Sequence, residues 1–172
     1  MLAPAPGERG LWRCPKAKAH DLDRYLKHVE KYRGTTAQEL EGNLDLAWVI
    51  EHGLQLCIQI VLDIGSYILA EEGIVVDEYG DVFAELAKLT VLPAEFARDI
   101  SGMAGFRNIL VHEYARVNKA KVAEVLNRRL GNFREFARYI IKYQIPGPPL
   151  TESLFAHYDF PHMGQECLQV PT

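Results

Sequence analysis

Between Arg107 and Tyr114 the chain reads R-N-I-L-V-H-E-Y, with an arginine, an asparagine, a histidine and a tyrosine set around three apolar residues. On a helix turning ~100° per residue, Asn108 and His112 are i,i+4 neighbours on one face, while Arg107 and Tyr114, seven apart, share another. Arg107 and His112 then stand ~140° apart around the axis and ~7.5 Å along it, so they flank a groove only loosely. Arginine offers a permanent charge and a planar fork of donors suited to phosphate oxygens, and histidine exchanges a proton near neutral pH. Together these are the minimum kit for cleaving RNA without a metal. A base takes the proton of the ribose 2′-hydroxyl, that oxygen attacks the adjacent phosphorus, and an acid protonates the departing 5′-oxygen. A single histidine fills one of these roles at a time. In a symmetric dimer with this helix at the two-fold axis, two copies of His112 can face one phosphate as base and acid, with both Arg107 side chains stabilising the added charge. Spacing alone is weak support, because a core-edge histidine and a salt-bridging arginine on one helix are common.

Other chemistry is thinly represented. Cys14, Cys57 and Cys167 are scattered singly, which encodes neither a disulfide framework nor a zinc knuckle and fits a reducing cytoplasm. His157, His162 and Cys167 are metal ligands by type but lack a fourth partner or fixed spacing, so no metal or other cofactor is expected. There is no glycine-rich phosphate loop, no G-x-S-x-G and no paired-carboxylate motif. Asp63 and Glu51 are expected to face water rather than to orient Arg107 or His112. The net charge of −4 hides an asymmetry: from Arg107 to Lys142 nine basic residues stand against Glu113, Glu124 and Glu135, a net of +6, leaving −10 for the rest. Local positive charge keeps a phosphate-bearing partner admissible, and a solvated helix face explains the same count.

The elements that would position these groups are helical. With 172 residues and 48% hydrophobic content the chain can bury a core as one domain. Residues 1–20, with Pro4, Pro6, Gly7, Gly10 and Pro15, read as a loose leader, and Asp21 as the N-cap of a first helix through Leu22, Tyr25, Leu26 and Val29 to Gly34. Ala47, Ile50, Leu54, Cys57, Val61, Ile64 and Ile68 step alternately by 3 and 4, the seam of a helix packed in a bundle. Leu46, Val49, Leu56 and Ile60 add a second apolar row, so this helix is central or pairs across a dimer interface. Tyr79, Val82, Phe83 and Leu86 mark a third helix. Pro93 opens a fourth with Phe96, Ile100, Met103 and Leu110 inward, where Gly102 and Gly105 permit a kink and close backbone approach. Asn118 caps the last helix, whose inner face is Val122, Val125, Leu126, Phe133, Phe136 and Ile140. Residues 21–144 therefore read as an all-α, up-and-down bundle of about five helices. Residues 145–172, with five of the nine prolines and a charge of −3, read as an acidic tail. The charge-free run His52–Leu62 falls far short of the ~20 residues of a membrane span, and the leader lacks the apolar centre of a signal peptide.

The motif R-x-x-x-x-H-x-Y, met as Arg107, His112 and Tyr114, resembles that of the HepT-like toxins of the HEPN superfamily. The run W-V-I-E-H-G-L-Q-L-C-I-Q-I-V-L-D-I-G from Trp48, L-P-A-E-F around Pro93 and G-M-A-G-F-R-N from Gly102 are similar to the same family in the same order. The resemblance covers about residues 21–143. It implies a HEPN-like helical dimer, a metal-independent endoribonuclease toxin cutting tRNA or mRNA, and a cognate MntA-type nucleotidyltransferase antitoxin. Carried across, Arg107 and His112 are the catalytic pair, Asn108 is the polar companion at the substrate, and Tyr114 is the tyrosine the antitoxin adenylylates. An AMP group there adds bulk and negative charge where RNA phosphate is meant to sit. The alternative is a non-catalytic helical partner of a nucleotidyltransferase, which uses the motif for binding.

Overall fold

The computed structural model describes residues 15–112 and 117–144; Tyr114 and the histidines and cysteine of the tail lie outside the described residues. Among the described residues the chain is entirely helical, without strands: α1 (Pro15–Glu30), α2 (Ala37–Gly42), α3 (Leu44–Glu71), α4 (Val82–Lys88), α5 (Ala94–Ile100), α6 (Gly102–His112), α7 (Lys119–Glu124) and α8 (Leu130–Gln144). A 3-10 turn at Tyr79–Asp81 precedes α4, and a π-helical segment at Val125–Arg129 joins α7 to α8.

Helix α3 is the axis of the bundle, with α1, α4, α6 and α8 packed around it. All seven residues of the 3,4-stepping seam are at most 3% exposed. The second row is less covered, and Val49 is 41% exposed. By length and composition α3 could cross a membrane, its most apolar window having a mean hydropathy of 1.6, yet half of that window is buried inside the bundle. Its ends are set locally. The Asn43 side chain accepts from Leu46 N (3.0 Å), and Gly73, at φ +74°, takes the left-handed conformation that turns the chain away.

Two glycines fix how closely α3 is approached. A Cβ on Gly53 would lie 2.5 Å from Val29 Cγ2 of α1, and one on Gly65 2.5 Å from Val82 Cγ1 and 3.1 Å from Leu86 Cδ1 of α4. Valine is stiff about χ1, so the helix must move rather than the side chain. Gly65→Ala is expected to destabilise the fold by about 1–3 kcal/mol. Thermal unfolding followed by circular dichroism checks this: an unchanged melting temperature would show that α4 does not depend on contact at Gly65.

Several boundaries differ from the sequence reading. Helix α1 starts at Pro15 rather than Asp21; proline is preorganised for a first helical turn, and Asp21 sits inside the helix, paired with Arg24 (3.1 Å). Six-residue α2 is too short to show an apolar period and is held by a capping box, with Thr36 Oγ1 accepting from Glu39 N and Glu39 Oε2 accepting from Thr36 N. The expected fourth helix is two, α5 and α6, broken at Ser101. The close approach expected at Gly102 and Gly105 does not occur among the described residues, where nothing lies within 4 Å of a Cβ added at either. In the π segment, Asn127 Oδ1 accepts from Gly34 N (2.6 Å) while its Nδ2 donates to Thr35 O (3.0 Å), tying α8 to the turn after α1.

Candidate active site

Arg107 lies on α6 where that helix meets α3, and it is half-buried. Its Nε donates to Gln59 Oε1 (2.9 Å), its Nη1 donates to Asn108 Oδ1 (3.2 Å), and its guanidinium stands 5.9 Å from the centroid of the Tyr79 ring. The Gln59 amide is itself held: Nε2 donates to Asp63 Oδ1 (2.7 Å), and Asp63 Oδ2 accepts from Lys18 Nζ of α1 (2.8 Å). A polar chain thus runs from α1 across α3 to α6, with the Lys18 and Asp63 side chains only 16% and 28% exposed. Gln59 and Asp63 can cooperate because they are i,i+4 neighbours on one face of α3.

His112 closes α6 and is exposed, as are Asn108 and Ile109. The outward face of α6 is therefore formed by Asn108, Ile109 and His112 together with the exposed Gly102 and Gly105. Arg107 points instead toward α3, as the ~140° separation requires. Lys119 Nζ donates to Glu51 Oε1 (2.5 Å), so Arg107 and Lys119 meet α3 at the levels of Gln59 and Glu51, about 12 Å apart at 1.5 Å per residue. On the N-terminal half of α3, Leu44, Trp48 and Val49 are 61%, 63% and 41% exposed.

Four of the nine basic residues from Arg107 to Lys142 form ion pairs among the described residues. Lys119 meets Glu51, Lys121 meets Glu124, Arg129 meets Asp99 and Arg134 makes a two-pronged contact with Glu30. The Arg134 hydrogen bonds hold the Glu30 carboxyl below the usual carboxylate range, against a smaller opposing effect of burial. The net charge of +6 on this stretch is therefore partly offset by Glu51, Asp99 and Glu30 from the rest of the chain, whereas the hydrogen bonds of Arg107 go to neutral amides. Cys57 is no nucleophile: burial pushes its thiol up to about 12. Among the described residues no group of three or more His, Cys, Asp or Glu is arranged to hold a metal ion. A cavity of about 550 Å³ lined by Val91, Pro93, Tyr139 and Tyr143 lies between α4, α5 and α8 and includes none of the motif residues.

Asp63, expected to face water, and Gln59 and Lys18, which had no expected role, join this polar chain, while Tyr79, expected only to mark a helix, flanks Arg107. The signal available for the first two was a pair of polar residues four apart on an otherwise apolar helix. Glu51, the other acid considered, anchors the start of α7 and touches neither Arg107 nor His112.

Residues 22–140 match the family described as "Ribonuclease HepT-like". The chain belongs to the HepT-like ribonucleases. It is 29% identical over 126 residues to a tRNA nuclease HepT of Aphanizomenon flos-aquae, covering 72% of this chain and 85% of that one. Over 120 residues it is 25% identical to an mRNA nuclease HepT of Shewanella oneidensis, covering 69% and 90%. Its fold is shared with the tri-AMPylated Shewanella oneidensis HEPN toxin solved in complex with an MNT antitoxin, at a TM-score of 0.67 and 24% identity over 76% of this chain and 97% of that one. The HEPN resemblance read from R-x-x-x-x-H-x-Y, and the all-helical class, thus hold for this HepT-like chain.

Proposed function

We propose that this HepT-like protein is the toxin of a HepT/MntA-type pair, a cytoplasmic, metal-independent endoribonuclease that cuts tRNA or mRNA at the cleft of a homodimer. The observation that carries the reading is the presentation of Arg107: Gln59 and Asn108 engage two of its five N–H donors and leave the others for a phosphate oxygen. His112, exposed on the same helix, supplies the proton transfers. Because the two side chains diverge around α6, one subunit alone supplies a single imidazole. A second copy laid against the face of Asn108, Ile109 and His112 brings another, and the exposed Gly102 and Gly105, which carry no side chain, favour close approach of a helix there. The exposed apolar surface of Leu44, Trp48 and Val49 favours burial against another chain. Asn108 and Tyr114 border the substrate. Adenylylation of Tyr114 by a nucleotidyltransferase antitoxin, as the AMPylated, antitoxin-bound relative suggests, adds negative charge within reach of the cleft and repels RNA.

Incubation of the purified protein with tRNA and mRNA in excess EDTA tests the reaction. Cleavage is expected to persist and to leave 2′,3′-cyclic phosphate and 5′-hydroxyl ends. Loss of activity in the chelator, or 5′-phosphate ends, would overturn the mechanism, and a stable complex with a nucleotidyltransferase from a protein that cuts no RNA would make it a binding subunit.

A further inference from the structure

We propose that Gln59 is a positioning residue for Arg107, and that a neutral amide stands there so that the guanidinium is oriented without losing its charge to Asp63. The inference rests on the endoribonuclease reading of Arg107. An amide has one accepting end and one donating end, whereas a carboxylate only accepts. Asp63 Oδ1, 2.7 Å from Gln59 Nε2, therefore admits the donating end alone and turns Oε1 toward Arg107 Nε, 2.9 Å away. The negative charge of Asp63 is met by Lys18 at 2.8 Å rather than by Arg107. The Tyr79 ring flanks the guanidinium at 5.9 Å, and Asn108 takes one Nη1 hydrogen. With Nε held from α3 and one Nη1 hydrogen on Asn108, one hydrogen of Nη1 and both of Nη2 remain for phosphate. A glutamate at position 59 would form an ion pair with Arg107 and compete with that phosphate, besides standing against Asp63.

Four variants read this out: Gln59→Leu, Gln59→Glu, Asp63→Asn and the double variant Gln59→Glu/Asp63→Asn. The double variant has the wild-type net charge, with the carboxylate moved one helical turn along α3 to Arg107. Steady-state cleavage of RNA gives kcat and KM. Fluorescence anisotropy with a fully 2′-O-methylated RNA oligonucleotide, which has no free 2′-hydroxyl to attack, gives Kd and its salt dependence without any reaction. Gln59→Leu is expected to lower kcat by about 10- to 100-fold through lost orientation. Gln59→Glu is expected to raise KM and Kd instead, and to flatten the salt dependence by about one phosphate contact. The double variant is expected to stay as impaired as Gln59→Glu, and Asp63→Asn to fall between it and wild type. Recovery of wild-type kcat/KM and Kd in the double variant, or full activity of Gln59→Leu, would overturn the proposal. Melting curves separate misfolding from these effects. If wild type cuts no RNA, the endoribonuclease reading fails, and the anisotropy series still decides whether Gln59 sets the charge offered to phosphate.

Discussion

His112→Ala is expected to lower kcat/KM on RNA by about 10²–10⁴-fold, the range over which a positioned proton donor or acceptor contributes. The fold should survive, because His112 is exposed at the end of α6. Subunit mixing sharpens the test. If both proton transfers use His112, one from each subunit, a dimer with one wild-type and one variant chain is inactive. Activity in exchanged mixtures then falls as the square of the wild-type fraction. A linear fall shows that each subunit works alone, and equal cleavage by wild type and variant removes His112 from the reaction.

Arg107→Lys carries the second large effect. The charge is kept, but the Nε donor that meets Gln59 and the planar fork are both lost. A loss of about 10²–10³ in kcat is expected, comparable to removing one donor from a preorganised oxyanion site. Lysine is a compact point charge on a flexible stem, so the variant should still bind RNA with an unchanged salt slope while failing to organise the phosphate. Near-wild-type kcat would mean that charge alone suffices and that the hydrogen bond from Arg107 Nε to Gln59 is structural.

The fold was legible wherever burial repeated at helical spacing. The 3,4-stepping of Ala47 to Ile68 marked α3, and Phe133, Phe136 and Ile140 marked the inner face of α8; all of them are at most 3% exposed. Breaks set by few residues were not legible. The interruption at Ser101 leaves the inward positions Ile100, Met103 and Leu110 in register across both helices, so the periodicity continues through it. The site divides in the same way. Arg107, Asn108 and His112 lie close enough in the chain for their types and spacing to be read together. Gln59 and Lys18 acquire meaning only when α6 and α1 are laid on α3, because their partners are 48 and 45 residues away. Helix-surface acids usually face solvent, the expectation for Asp63, whereas here α1 brings a lysine across to it.

Helix α3 is both spine and workbench, and this restricts how it can diversify. Its buried Ile58 and Leu62 alternate with Gln59 and Asp63 on a single rigid rod. Lengthening the rod by one residue between Gly53 and Gln59 would swing everything beyond it by ~100°, turning the amide away from the arginine and carrying aliphatic side chains toward water. The two jobs are locked in phase, so divergence among such chains should accumulate as exchanges within this rod and as length changes in the turns that follow it.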